Sequence, residues 1–333
     1  MRIGRYDVWN EYDAIEPIVG GHTDAMKLAH ASAMANHMIQ CWNIAKESLM
    51  TFGCDAHQAE QLMSNTKDIR LLSDCEDLNP AVHALRAYLG RSAYRCRMNL
   101  RPWPKNTSEQ CISAGIYSFS ADELGLTQNQ RDTLEQELSS PTAALSKNET
   151  NMAYGRARFE TCTTLLDKVT PFLSEVTGYS ENTIGEELSR TAFAQRVMNG
   201  PQDNDVQKVM HQDTWHDAWK LWYFPRAVRA GEGPFRFARY SHGLSSERMR
   251  LAVSFATRGA KWEDWRSYGH DEGSWRVSDD ELLRMGCGAE DITCEAGTLV
   301  VANVFGYHAR GEATETKERI ALHGSIRLNP WKS

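Results

Sequence analysis

The chain has 333 residues, 41% of them hydrophobic, enough to bury a sizeable core. Its net charge of -7 is spread without basic blocks, so neither nucleic acid nor a membrane surface is expected as a partner. The opening "MRIGRYDVWNEYDAIEP" lacks the apolar run of a signal peptide, no window approaches a membrane-spanning length, and the eight cysteines include no CxxC pair; the chain reads as cytoplasmic, with reduced structural thiols.

In chain order, residues 1–190 read as mainly helical. Thr23 to Phe52 is rich in Ala, Met and Leu without proline or glycine, the pattern of one long helix or two abutting ones. Asn79 followed by Pro80 marks another helix start. Ser120 with Glu123 and Thr127 with Gln130 fit the capping-box spacing, "SSPTAALSKNET" reads as a loop, and a helical pattern runs from Asn151 to Glu175. From about residue 190 the texture changes to short β-type segments: "VQKVMHQD", "KLWYFP", "GPFRFARY", "GTLVVANVF" and "RIALHGSIRL". Short strands with long excursions between them, preceded by helices able to cover one sheet, predict an α+β protein. Its core, residues 191–333, is a jelly roll of the cupin-like kind, with a helical N-terminal layer. The polar stretch at about 244–293 is expected to be an insert or lid.

The segment "VMHQDTWHDAW" carries the chemistry. Residues two apart on a strand share a face, so His211 and Asp213 can grip one metal. The best third ligand is His308 in "NVFGYHARG", which follows a predicted strand; His216, His242 and His323 are the alternatives. Two histidines and one carboxylate leave the opposite face of a metal open, the arrangement of non-haem Fe(II) oxygenases. Arg319, eleven residues after His308, shares a strand face with Ala321, His323 and Ser325, and its guanidinium suits a dicarboxylate. Trp215 continues the face of His211 and Asp213, and Arg239 follows Phe235 and Phe237 on one face of "GPFRFARY"; both are candidate substrate residues, Arg239 for an anionic group.

The ordered set of His211-x-Asp213, His308, Arg319 and the intervening "GPFRFARYSHG" resembles the phytanoyl-CoA hydroxylase-like family of 2-oxoglutarate-dependent oxygenases, over roughly residues 190–330. The resemblance implies a double-stranded β-helix that binds Fe(II) through His211, Asp213 and His308 and 2-oxoglutarate through Arg319, with Gln195 near the co-substrate. It implies O2-dependent oxidation of a small molecule, by hydroxylation, desaturation or cyclisation, with release of succinate and CO2. Relatives carry Ser or Thr two residues after the distal histidine, where this chain has Arg310. Halogenating relatives replace the carboxylate that Asp213 supplies, which argues against halogenation. The substrate is expected to be a small metabolite bearing a carboxylate. The competing class is a non-catalytic jelly-roll binding protein.

Overall fold

The structure is a computed structural model and describes residues 2–3, 6–7, 106–139, 146–148, 152–156, 160–201, 205–213, 217–243, 248, 251 and 276–328. The predicted helices over 23–52 and from Asn79, and most of the 244–293 insert, lie outside the described residues.

The elements run α1 (Asn106–Ala114), β3 (Ile116–Phe119), α2 (Gln128–Ser139), β4 (Ser146–Asn148), β5 (Met152–Arg156), α3 (Glu160–Thr177), α4 (Glu181–Thr191) and β6 (Phe193–Asn199). They continue with β7 (Trp219–Phe224), β8 (Phe235–Ala238), α5 (Asp279–Arg284), β9 (Ala289–Ile292), β10 (Thr298–Asn303), β11 (His308–Arg310) and β12 (Lys317–Ile326), after a short hairpin of β1 (Arg2–Ile3) and β2 (Tyr6–Asp7). All pairings are antiparallel: seven strands in the order β3-β10-β7-β12-β6-β5-β4 face three in the order β11-β8-β9. His211 forms an isolated bridge to His308 and so prolongs the small sheet beyond β11. Two antiparallel sheets with this winding make the double-stranded β-helix core.

Strand alternation sorts the side chains into two cores. Facing into the barrel are Trp222, Phe224, Phe235, Phe237, Val300, Ala302 and Ala321. Facing outward from the large sheet are Trp219, Leu221, Tyr223, Leu299, Val301, Ile320 and Leu322, packed under the helices by Leu165, Val169, Leu173, Ile184 and Leu188. Ile184 and Leu188 are four residues apart on one face of α4, which starts at the N-cap Ser180. A Cβ on Gly324 would stand 3.0 Å from Leu188 and 3.1 Å from Leu221, so glycine lets α4 approach β12 closely.

Three expectations are corrected. The loop expected over "SSPTAALSKNET" contains β4, which pairs with β5. The helical pattern from Asn151 covers a strand first: residues 152–156 pair with β6, and the helix begins only at Glu160. Gly155 weakens helix locally, and the free edge of β6 supplies ladder partners that local propensity does not register. "VQKVMHQD" is not one strand; Asp205 accepts from the backbone N–H of Gln207 and Lys208, winding residues 206–208 into a 3₁₀ turn, and ladder contacts resume only at His211. The Thr127–Gln130 box caps α2 as expected, whereas the Ser120–Glu123 box closes a turn that does not continue into helix. Cys111, Cys162, Cys287 and Cys294 are buried free thiols. Among the described residues no helix is long and apolar enough to cross a membrane.

Candidate metal and co-substrate site

His211 and His308 are brought together by backbone pairing: each N–H donates to the other's carbonyl at 2.8 Å. Asp213 is placed by its own N–H, which donates to Val304 O at 3.0 Å. The three side chains then converge, with one ligand atom from each lying within 4.8 Å of the other two. His211 Nε2 is 3.7 Å from Asp213 Oδ1, and His308 Nε2 is 3.4 Å from Asp213 Oδ2. Both rings turn the other nitrogen to a carbonyl, His211 Nδ1 to Val209 O at 2.8 Å and His308 Nδ1 to Gly306 O at 3.0 Å. A carbonyl only accepts, so each Nδ1 carries a proton, and each ring turns its Nε2 toward Asp213.

The electrostatics favour this state. Burial, reinforced by the neighbouring His308, pushes the His211 pKa down to about 3, so the ring stays neutral. Burial pushes the Asp213 carboxyl the other way, but the adjacent Lys220 ammonium outweighs it, and the group is held well below the usual carboxylate range. Lys220 Nζ donates to Asp213 Oδ2, and Arg327 lies 3.3 Å from the same oxygen. Two imidazoles and an ionised carboxylate form the donor set of a divalent first-row metal, and these residues fit Fe(II).

Arg319 lies on the inward face of β12 beside Phe224, its guanidinium 5.6 Å from the ring centroid. Its side chain is partly buried. Its hydrogen bond goes to the Gly233 carbonyl, and no carboxylate among the described residues pairs with it. Burial, with the nearby charge of Arg310, lowers its pKa to about 9. A guanidinium drawn away from water without an anion in contact is destabilised, and a carboxylate entering the barrel offsets that cost. Gly233 is at φ +70, and a Cβ there would meet the Asn199 side chain at 2.6 Å; this is the physical reason for the Gly-Pro lead into β8. Gln195 stands directly across from Ala321, in the same wall as Arg319. Arg310, on the face of His308, is ion-paired to Asp205 at 2.6 Å.

The remaining candidates separate. Trp215 and His216 lie outside the described residues. His242 is buried against α1, its Nε2 2.9 Å from Ile112 O, away from the triad. His323 is an inward wall residue stacked on Phe193 at 4.4 Å and does not join the three ligand atoms. Arg239 is 43% exposed and ion-paired to Glu290, beyond the end of β8 where the chain turns at Tyr240; it lines an outer cleft of about 560 Å³ with Tyr117 and Tyr240, and the structure does not bring it to the triad.

One important residue escaped the sequence reading. Arg248 is buried, donates to Ser241 O, Gln212 Oε1 and Phe305 O, and stacks over Phe305 and Tyr307 at 4.2 and 4.5 Å. It therefore ties the residue between His211 and Asp213 to the turn that delivers His308. Ser241 Oγ adds a second tie by accepting from Tyr307 N at 2.8 Å. A lone arginine in a polar insert carries no signal of this role.

No family model and no curated protein matches the chain. Solved structures do resemble it at low identity. The epimerase SnoN in complex with Fe3+, alpha ketoglutarate and nogalamycin RO is 12% identical with a TM-score of 0.43, covering 66% of this chain and 82% of that one. HygX from Streptomyces hygroscopicus with nickel and 2-oxoglutarate bound is 9% identical with a TM-score of 0.42, over 67% and 87%. The non-heme alpha ketoglutarate dependent carbocyclase SnoK from nogalamycin biosynthesis is 12% identical with a TM-score of 0.39, over 67% and 83%.

Proposed function

We propose that this chain is an Fe(II)- and 2-oxoglutarate-dependent oxygenase of a small molecule, related to the phytanoyl-CoA hydroxylase-like enzymes. His211, Asp213 and His308 would hold the iron, and Arg319, with Gln195 in the same wall, would hold the far carboxylate of the co-substrate. The observation that carries this reading is the pairing, in one barrel, of a two-histidine, one-carboxylate cluster with a partly buried, inward arginine that no acid contacts among the described residues. When bound, iron and 2-oxoglutarate supply the activation of O2, with succinate and CO2 as co-products.

The chain's own residues do the rest. The Nδ1 hydrogen bonds fix both imidazoles with Nε2 forward, so binding costs no ring reorientation. Arg319 orients a dicarboxylate by a forked contact that lysine cannot reproduce. Trp222, Phe235 and Phe237 close the inner barrel with apolar surface and exclude bulk water, which strengthens the charge contacts within. Hydroxylation is the reaction this arrangement supports by default, with desaturation and ring closure open to the same site. A purely ligand-binding jelly roll has no use for two histidines held in the metal-binding tautomer.

The test is optical. Anaerobic addition of Fe(II) and then 2-oxoglutarate should give a visible charge-transfer absorption in the wild type, absent from His308→Ala and Asp213→Ala proteins whose circular dichroism is unchanged. A wild type that stays colourless defeats the proposal, and a band retained in His308→Ala removes His308 from the ligand set.

A further inference from the structure

Across the barrel from the small sheet, β7 and β12 place a polar row beside the triad. Ser325 lies directly opposite Lys220, and His323 opposite Trp222, all pointing inward. Ser325 Oγ and His323 Nδ1 are buried without a hydrogen-bond partner. Asp213 is the one acid that Lys220 contacts among the described residues, and Asp213 also belongs to the metal cluster, with Arg327 on its same oxygen. Under the function proposed above, a divalent metal engages that carboxylate. Lys220, partly buried, then shares its one acid with a dication, beside a buried hydroxyl and a buried ring nitrogen that both lack partners, and such a set favours a further anion. Arg319, facing inward earlier on β12, accounts for one end of 2-oxoglutarate, and the row at 323–325 begins four residues further along, about 13 Å at strand spacing.

We propose that Lys220, His323 and Ser325 form a second anion subsite, which binds a carboxylate of the organic substrate next to the metal cluster. The ammonium supplies the charge, while the Ser325 hydroxyl and the His323 ring N–H supply directed hydrogen bonds. Arg239 is not needed for this role. The subsite rests on the oxygenase reading and assigns that reading a substrate class: small acids, oriented acid-first toward β7 and β12.

The experiment uses Co(II)-loaded protein without O2, saturated with 2-oxoglutarate, titrated with benzoate or with benzamide and followed by the visible Co(II) spectrum and by calorimetry. The two probes share a shape and differ in charge. Benzoate is expected to bind at least about tenfold more tightly than benzamide, and Lys220→Met to weaken benzoate by about tenfold or more. Ser325→Ala, which only removes a hydroxyl, should weaken it several-fold. Equal affinity for the two probes, no saturable benzoate binding, or unchanged benzoate affinity in both variants would overturn the subsite. Failure of 2-oxoglutarate itself to bind the Co(II) protein, seen before any benzoate is added, would instead bring down the oxygenase reading and the subsite with it.

Discussion

Arg319 and Arg239 show how differently one residue type can be used. Arg239 follows Phe235 and Phe237, and Arg319 shares a strand face with Ala321 and His323; yet Arg319 is turned into the barrel against the Gly233 carbonyl and the Phe224 ring, while Arg239 reaches a carboxylate at the surface. Glu290, which neutralises Arg239, comes from a strand about fifty residues later, so its arrival is invisible along the chain. The inward arginine carries the prediction at this scale. Arg319→Lys should raise the dissociation constant for 2-oxoglutarate on Ni(II)-loaded protein at least about tenfold, because one of two charge-assisted hydrogen bonds, about 1.5–3 kcal/mol, is lost. Calorimetry reads this without turnover, and an unchanged constant would make Arg319 a wall residue only.

At the scale of elements, the metal cluster depends on how two segments about a hundred residues apart are clamped. The reciprocal backbone bonds of His211 and His308 set the register, and Arg248 locks it from outside the cluster by joining Gln212, Ser241 and Phe305. Arg248→Met should therefore weaken Ni(II) binding by about ten- to a hundredfold although every ligand remains, as losses behind a metal site do. Titration of metal into the variant checks this, alongside far-ultraviolet circular dichroism to show that the barrel persists; wild-type affinity in a folded variant would reduce Arg248 to packing.

For the whole molecule, burial of histidines makes stability depend on pH. Burial lowers the pKa of His211 to about 3, and burial with the adjacent Lys220 holds His323 well below its ordinary value. Once unfolded, each ring takes up a proton below about pH 6.5. The unfolded state therefore binds more protons than the native state below that pH, and for His211 down to about pH 3, so native stability falls as the pH drops through this window. The urea midpoint of the metal-free protein should fall between pH 7 and pH 5, and His323→Phe, which keeps the stack on Phe193, should fall less steeply. A variant with the wild-type slope would show that His323 is already protonated in the native protein.

What the sequence determined by itself was whatever rests on local periodicity and spacing. Alternation placed Arg319, Ala321, His323 and Ser325 on one face of β12, and the structure keeps them there, because the period of two is a property of the strand backbone. For His211 and Asp213 the expected shared strand did not form; a bridge from His211 to His308 and the Asp213 N–H on Val304 O bring the three side chains together instead. Only the tertiary structure decided what each face meets. It turned "MAYGR" into a strand because β6 offered an open edge, gave Arg239 a surface acid, and set Lys220 against Asp213 and Ser325. Those contacts join residues far apart in the chain, and their energies depend on burial and cross-strand register, which no local pattern encodes.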